Sequence, residues 1–264
     1  MMILKDVLKL PTALFILFLL CSCGHNNHND YDVYLLIGQS NMAGRGPLSR
    51  EDTTTIEDGV YLLNAEDLPE PAKAPFNRYS TIRKDLSIQG ENPARSFASA
   101  MRAHNGRPVL LVVNARGGSS ISSWLKDAPA PAERPQYYSE AVRRTKQALQ
   151  YGELKAILWH QGESDSDSTR AAAYLDRIQK LASDLRTDLC NGEAVPFIVG
   201  EILRTHDNAA IFNPVINQAS ALIPNSACVN SEGLVALPDN LHFDTASQLE
   251  LGKRYAQELI WLTF

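Results

Sequence analysis

Short apolar runs recur along the chain, and each is continuous rather than alternating with polar residues. The runs are VYLLIG (33–38), VYLL (60–63), PVLLVVNA (108–115), AILWHQ (156–161) and PFIVGEIL (196–203), with a weaker one, ACVNSEG, at 227–233. Continuous apolar runs of this length are typical of strands that are buried on both faces of a sheet. The pattern therefore predicts strands at these positions.

Segments with helical spacing of apolar residues lie between the runs. They predict helices over 92–105, 136–152, 168–189, 208–223 and 244–262. Pro214 interrupts the fourth helix, and the last opens with Thr245-x-x-Gln248, the spacing of a capping box. Strands that alternate with helices predict an α/β fold with a mostly parallel sheet covered on both faces. The stretch 45–91 is loop-rich and contains several prolines, and we expect it to form one wall of a site.

The first predicted strand ends in a serine among glycines and amides, IGQSNMAGRG. Binding sites in parallel sheets form at the carboxyl ends of the strands, so Ser40 is a candidate nucleophile. A serine hydroxyl reacts only when a base takes its proton, and a serine after a strand also commonly caps a helix. The local sequence G-Q-S-N-M is not the G-x-S-x-G elbow of α/β-hydrolases.

Two further strand ends carry polar candidates. RGGSS follows the run at 108–115, and its glycines allow backbone N–H groups to face a ligand, as an oxyanion site requires. An ordinary flexible turn is the alternative. QGESD (161–165) follows AILWH, and in it Gln161 could donate from its amide and Glu163 supplies an acid. A purely structural role for these buried polar groups is the competing interpretation.

PDNLHFDTAS precedes the last predicted helix and places Asp239 three residues before His242. In a tight turn this spacing brings the carboxylate to one imidazole nitrogen and leaves the other nitrogen free for a substrate. Four other histidines lack this arrangement: His25 and His28 lie in the polar segment after the signal, His104 closes a predicted helix, and His206, which precedes a helix, is a weak competitor. Ser40 with His242 and an acid therefore forms a candidate nucleophilic site.

Composition narrows the class of protein. The 264 residues are 44% hydrophobic and 21% charged, which is enough for one sizeable core. The net charge of −5 and the lack of clustered Lys and Arg argue against nucleic-acid binding. The cysteines and histidines do not have zinc-ligand spacing. Cys190 and Cys228 could pair after export, but separate buried thiols are favoured.

The N-terminus has the pattern of an export signal. Lys5 and Lys9 precede TALFILFLL (12–20), an apolar stretch too short to span a bilayer. LCSCG follows and resembles a bacterial lipobox, with Cys23 as the lipidated first residue of the mature protein. The alternative is a plain secretory signal. We expect a signal peptide over 1–22, a polar tether over 23–31 and one domain over 32–264, lipid-anchored in the cell envelope as a periplasmic or outer-membrane lipoprotein.

Four segments of the sequence resemble motifs of the SGNH/GDSL hydrolase superfamily: GQSNMAGRG, GG followed by Trp124, WHQGESD and DNLHFDTASQLELG. Within it they are similar to the sialate O-acetylesterase and acetylxylan esterase branch, carbohydrate esterase family six. The resemblance spans roughly residues 32–260. It implies a flavodoxin-like three-layer α/β/α sandwich, Ser40 as nucleophile, His242 as base and Asp239 as the acid that orients it.

The same resemblance implies an oxyanion hole made of the Ser40 and Gly118 backbone N–H groups and the Gln161 side chain. Gln161 takes the position of the usual superfamily Asn. Glu163 competes with Asp239 for the role of orienting acid. The implied activity is removal of O-acetyl groups from carbohydrates, without a metal or organic cofactor. A peptidoglycan or non-sugar ester as substrate, and a non-catalytic glycan-binding lipoprotein, are the alternatives.

Overall fold

The computed structural model describes residues 30–83, 85–132 and 135–263. The predicted signal peptide, Cys23 and most of the predicted tether lie outside the described residues. Within these three ranges, none of the helices has the length and apolar character needed to cross a bilayer.

Seven strands form one sheet in the order β3-β2-β4-β1-β5-β6-β7. Their bounds are β1 (Tyr31–Gly38), β2 (Val60–Leu63), β3 (Pro69–Pro71), β4 (Val109–Val113), β5 (Gly152–His160), β6 (Phe197–Gly200) and β7 (Ser226–Val229). All neighbours are parallel except β2 and β3, which are antiparallel. The six predicted strands are confirmed. The short edge strand β3 was not predicted, because two of its three residues are prolines, which only an edge strand tolerates.

Helices cover both faces of this sheet. They are α1 (Ser40–Ala43), α2 (Arg50–Thr54), α3 (Ala94–Asn105), α4 (Tyr137–Ala148), α5 (Ser168–Ala172), α6 (Tyr174–Cys190), α7 (Ala209–Ile216), α8 (Ala219–Leu222) and α9 (Thr245–Thr263). The single helix predicted over 168–189 is two helices that meet at Ala173. The interruption predicted at Pro214 falls three residues later, after Ile216. Cys190 and Cys228 are free thiols.

The predicted capping box of the last helix does not form. Asp244 caps α9 instead, because its carboxylate accepts the Ser247 N–H at 2.7 Å. Thr245 is the first helical residue, and its hydroxyl donates to the Pro47 carbonyl oxygen at 2.7 Å. Asp is among the strongest capping residues, and the contact to Pro47 gives Thr245 a different partner in the loop-rich stretch. The result ties α9 to that stretch.

The residues of β1 explain why its sequence does not alternate. Val33, Leu35 and Ile37 pack into the hydrophobic cluster under α4 and α6, whereas Tyr34 and Leu36 pack into the cluster under α3 and α9. Both faces of the strand are therefore buried, and both must be apolar.

The order in which the chain adds strands to the sheet reverses at β1. β2 to β4 lie on one side of β1, and β5 to β7 lie on the other. β4 pairs with one edge of β1 and β5 with the other, in register Leu36↔Val113 and Gly38↔His160. In doubly wound sheets a crevice opens where neighbouring crossovers leave in opposite directions. The segments after β1, β4 and β5 therefore meet at one end of the sheet, and they are the segments that carry the candidate residues.

Candidate active site

Ser40 follows β1 in a turn that only glycine permits. Gly38 has a φ of +140°, and a Cβ there would stand 2.1 Å from the carbonyl oxygen of His160 on β5. The Gln39 N–H donates to the same oxygen at 2.9 Å, so the chain leaves the sheet directly before Ser40. Ser40 is the first residue of α1, whereas Gln39 holds the N-cap position. The alternative role of Ser40 as a helix cap is therefore wrong, and its N–H lacks an intrahelical acceptor.

His242 is held by Asp239 in the turn before α9. The imidazole Nδ1 lies 2.6 Å from Asp239 Oδ2. The other carboxylate oxygen, Oδ1, accepts the N–H groups of Leu241 and His242 at 3.0 Å each. Burial acts to raise the pKa of Asp239, but these hydrogen bonds outweigh it and lower that pKa to about 2. An ionised carboxylate only accepts, so Nδ1 carries the proton and Nε2 is left as an acceptor.

Glu163 lies against Asn41 rather than against His242. Its Oε1 accepts from Asn41 Nδ2 at 2.5 Å. Its Oε2 is buried and has no hydrogen-bond partner among the residues that the structure describes. Burial raises the pKa of Glu163 to about 7. Of the two carboxylates that the sequence left in competition, Asp239 is thus the one in contact with the imidazole.

Gln161 is fully buried and joins the strand ends to one another. Its Nε2 lies within hydrogen-bond distance of Gln39 Oε1 (3.0 Å), Ser119 O (3.1 Å) and Asp165 Oδ2 (2.7 Å). Its Oε1 accepts from the Tyr174 hydroxyl at 2.8 Å. An amide has two N–H groups, and three acceptors already compete for them. In this arrangement Gln161 connects the segments after β1, β4 and β5 by hydrogen bonds. Its oxyanion role stays a prediction.

The two glycines after β4 differ in their surroundings. A Cβ on Gly117 would lie 3.4 Å from Ser40 Cβ and 2.4 Å from a guanidinium nitrogen of Arg45. Gly118 has a φ of +71°, and the space where its Cβ would stand is open. The glycine pair therefore brings the β4 loop against Ser40, and Gly117 is the residue in closest approach. The oxyanion role of the Gly118 N–H also stays a prediction.

Two residues near the site were missed by the sequence analysis. Asn41 was passed over although it directly follows Ser40. His160 is fully buried; its Nδ1 lies 3.0 Å from the Tyr255 hydroxyl, and its ring contacts the Phe243 ring at 5.6 Å between centroids. Burial lowers the pKa of His160 to about 3, so the imidazole is neutral. Its contact with Phe243 supports the turn that carries His242. Its place in WHQGESD was the available signal.

A cleft of about 810 Å³ opens beside His242. Leu237, Asp239 and His242 line one side, and the other lining residues all come from the loop-rich stretch, including Arg45, Leu86 and Ile88. The prediction that 45–91 forms one wall is confirmed. Leu86 and Ile88 are exposed apolar side chains at its rim.

The charge near the cleft is positive. Burial lowers the pKa of Arg45, the nearby guanidinium groups of Arg83 and Arg116 lower it further, and Asp239 opposes them. Arg45 Nη1 also donates to the Gly44 carbonyl oxygen at 2.6 Å, which holds the guanidinium group close to the backbone of the preceding residue. Arg78, which the cleft also contacts, is bound to the carbonyl oxygens of Ala74 and Pro75. Within the described residues, no group of three or more His, Cys, Asp or Glu side chains is arranged to hold a metal ion.

The seven-stranded, mostly parallel sheet with helices on both faces is a three-layer α/β sandwich, as predicted, and the candidate residues converge at its carboxyl edge. Residues 30–261 match the family model for carbohydrate esterase, sialic acid-specific acetylesterase, and the chain belongs to this family.

Known proteins agree with this assignment. A probable carbohydrate esterase of Arabidopsis thaliana is 29% identical over 240 residues, which cover 85% of this chain and 88% of the relative. The X-ray structure of an Arabidopsis thaliana protein superposes with a TM-score of 0.76 at 28% identity, covering 88% of this chain and 98% of that one.

A carbohydrate acetylesterase from Xanthomonas citri shares the fold, with a TM-score of 0.60 at 16% identity, over 85% of this chain and 55% of that one. A lipase from a goat rumen metagenome shares it too, with a TM-score of 0.56 at 10% identity, over 86% and 97% of the two chains. Because a lipase has the same fold, the fold alone does not identify the ester.

Proposed function

We propose that this carbohydrate esterase is a serine enzyme that hydrolyses O-acetyl esters on sugars through an acetyl-enzyme intermediate on Ser40. The observation that carries the proposal is the Asp239–His242 pair, whose turn is hydrogen-bonded on both sides of His242 to Asn41, the residue next to Ser40. A binding protein has no need for a histidine that is oriented in this way in a turn bound to the residue next to a serine.

In the first half-reaction, His242 Nε2 takes the Ser40 hydroxyl proton while the oxygen attacks the acetyl carbonyl carbon. The carbonyl oxygen becomes an oxyanion, which the Ser40 and Gly118 N–H groups are predicted to bind, at about 3 kcal/mol of transition-state stabilisation for each donor. The carbon–oxygen bond to the sugar then breaks, and His242 returns the proton to the sugar oxygen.

In the second half-reaction, water takes the place of the serine. His242 removes a proton from water, the hydroxide attacks the acetyl-Ser40 carbonyl, and the Ser40 oxygen leaves with the proton from His242. Acetate is released and the free serine is restored. The low pKa of Asp239 keeps its carboxylate ionised beside the imidazolium that forms twice in each cycle.

We further infer that the sugar is acidic, as in a sialate O-acetylesterase, rather than a neutral acetylated xylan. Arg45 lines the cleft beside His242, with Arg83 and Arg116 close enough to interact with it. A guanidinium group binds a carboxylate through two parallel hydrogen bonds, and the partial burial of Arg45 strengthens the attraction. The description of the family as sialic acid-specific supports the same choice.

Acetate release from matched substrates tests this proposal. We expect kcat/KM for 9-O-acetylated sialic acid to exceed that for acetylated xylo-oligosaccharide by at least about tenfold, as a charge-assisted contact allows. Arg45→Gln should remove most of that preference while p-nitrophenyl acetate, which is neutral, is hydrolysed within about threefold of the wild-type rate. Preference for the neutral xylo-oligosaccharide, or for acetylated peptidoglycan fragments, would contradict the sialate assignment.

We also propose that the domain is presented at the cell envelope by lipid on Cys23. The sequence pattern LCSCG and the polar segment after it support this. Lipid-anchored presentation would bring the enzyme to glycans outside the cytoplasm.

A further inference from the structure

Asn41 is fully buried and uses its whole side-chain amide. Nδ2 donates to Glu163 Oε1 at 2.5 Å and to the Leu241 carbonyl oxygen at 3.2 Å. Oδ1 accepts the Phe243 N–H at 3.1 Å and lies 3.3 Å from Gln248 Nε2. Two regions that are far from Asn41 and from each other in the sequence therefore meet on this residue: the loop after β5, and the turn of His242 with the start of α9 that follows it.

Two of these contacts flank His242. The hydrogen bond between Asp239 and His242 lies within one turn, so it orients the ring relative to the turn and moves with it. The contacts of Asn41 with Leu241 and Phe243 instead connect that turn to the residue after Ser40. They are direct hydrogen bonds between the turn and the segment that carries the serine.

Glu163 determines which way the Asn41 amide faces. Its Oε1 and the Leu241 carbonyl oxygen both accept, so the amide nitrogen must point to them and the amide oxygen to the Phe243 N–H. A flipped amide would place oxygen against two acceptors and leave the Phe243 N–H without a partner, which costs about 1–3 kcal/mol for each unsatisfied group. Glu163 therefore acts on the site through Asn41.

We propose that Asn41, held in one orientation by Glu163, is a positioning residue that fixes His242 at proton-transfer distance from Ser40. This inference rests on the proposed function, in which His242 takes the Ser40 proton. The turn keeps other attachments, since the Phe243 ring packs on His160 and Thr245 is bound to Pro47. Variants at Asn41 should therefore misplace the histidine without unfolding the domain.

Asn41→Asp is the direct test, because it keeps the size and the acceptor Oδ1 but loses both donated hydrogen bonds. We expect kcat on p-nitrophenyl acetate to fall about 100-fold, the effect of a displacement near 1 Å, with KM changed less than about threefold. Asn64→Asp is the matched control, since Asn64 Oδ1 only accepts, from the Glu66 and Leu68 N–H groups, and lies outside the site. This control should keep wild-type kcat.

The double variant Asn41→Asp/Glu163→Gln reverses the polarity of the pair, because the new amide at position 163 can donate to the new carboxylate at position 41. We expect it to regain at least about tenfold of the lost kcat, a coupling that a merely structural role would not produce. Folded Asn41→Asp with kcat within about threefold of wild type, or a double variant no better than the single one, would overturn the inference.

If the Asn41 variants do not fold, two variants of Glu163 test the positioning role instead. Glu163→Gln keeps an acceptor for Asn41 and should stay within about threefold of wild-type kcat, whereas Glu163→Met keeps only the length and should lose about tenfold. Equal kcat for the two would contradict the inference. Hydrogen exchange of the 237–244 peptide, faster in Asn41→Asp than in wild type, reports on the turn even if the protein hydrolyses no acetyl ester. Unchanged exchange would also overturn it.

Discussion

Asp239 contacts two parts of its own turn, and both contacts need an acceptor. Oδ2 faces the His242 ring, and Oδ1 faces two backbone N–H groups, so every partner is a donor. A carboxylate satisfies all of them. An amide must turn its NH₂ group toward one side, where it meets a donor.

We therefore expect Asp239→Asn to lower kcat on p-nitrophenyl acetate by about 10³-fold or more, since an amide nitrogen facing Nδ1 selects the wrong tautomer. Glu163→Gln, which alters a carboxylate that does not touch the ring, is the matched comparison and should cost far less. Steady-state kinetics at one pH compares the two variants. The reverse order of kcat would assign the orienting role to Glu163.

The buried carboxyl of Glu163 has a consequence for stability. Its pKa is raised to about 7 in the folded protein, so the folded state holds this proton more tightly than the unfolded chain does. The stabilisation is complete below the ordinary Glu pKa and is lost as pH rises through about 7. Relative to Glu163→Gln, the wild-type free energy of unfolding should fall by about 1–3 kcal/mol between pH 5 and pH 8. Urea unfolding of both proteins at the two pH values measures it, and a rise or no change contradicts the assignment.

At the scale of elements, strand positions could be predicted because both faces of the sheet are buried and the runs are uniformly apolar. β3 could not, since a three-residue strand with two prolines resembles a loop. The helix boundaries at Ala173 and Asn217 depend on tertiary packing rather than on spacing.

The individual hydrogen bonds of the site were predictable only where they are local. Asp239 and His242 are three residues apart, and a turn brings them together whatever the rest of the chain does. The contacts of Asn41 join residues 122 and more positions apart, and the approach of Arg45 to Gly117 joins two loops. Hydrogen bonds of this range leave no periodicity in the sequence.

The close approach of β1 to β5 gives a prediction at this scale. Gly38→Ala would force a Cβ to 2.1 Å from the His160 carbonyl oxygen at a φ of +140°, and backbone atoms cannot move aside cheaply. We expect a loss of more than about 3 kcal/mol in the free energy of unfolding, or failure to fold. Gly233→Ala, with a φ of +74° and open space, is the control and should cost about 1 kcal/mol. Similar losses for the two would mean that the close contact is not limiting.

At the scale of the whole molecule, the site and the start of the domain lie at opposite ends of β1. The strand begins at Tyr31 and ends at Gly38, directly before Ser40. Eight residues of strand span about 26 Å, so a tether that enters at Tyr31 joins the sheet at the end opposite to the cleft. An anchor at Cys23 would therefore join the domain at the end of β1 that is remote from Ser40.

The proposed lipid anchor uses only one of two cysteines, Cys21 and Cys23, that lie two positions apart. Cys23→Ser should abolish lipidation and release the protein from the membrane fraction, whereas Cys21→Ser should leave both unchanged, since only Cys23 follows Leu20 at the spacing of a lipobox. Mass spectrometry of the mature N-terminus and fractionation measure the two effects. A mature wild-type chain that begins at any residue other than Cys23 would contradict the proposal.

The central claim is that Ser40 is the nucleophile of an O-acetylesterase, and acetate release by Ser40→Ala measures it most directly. The hydroxyl is the only group that changes, and the variant should fold, since Ser40 does not cap a helix. We expect kcat on p-nitrophenyl acetate and on 9-O-acetylated sialic acid to fall by about 10⁴-fold or more, with unchanged thermal unfolding. A folded Ser40→Ala protein that keeps more than about a tenth of the wild-type kcat would contradict the claim.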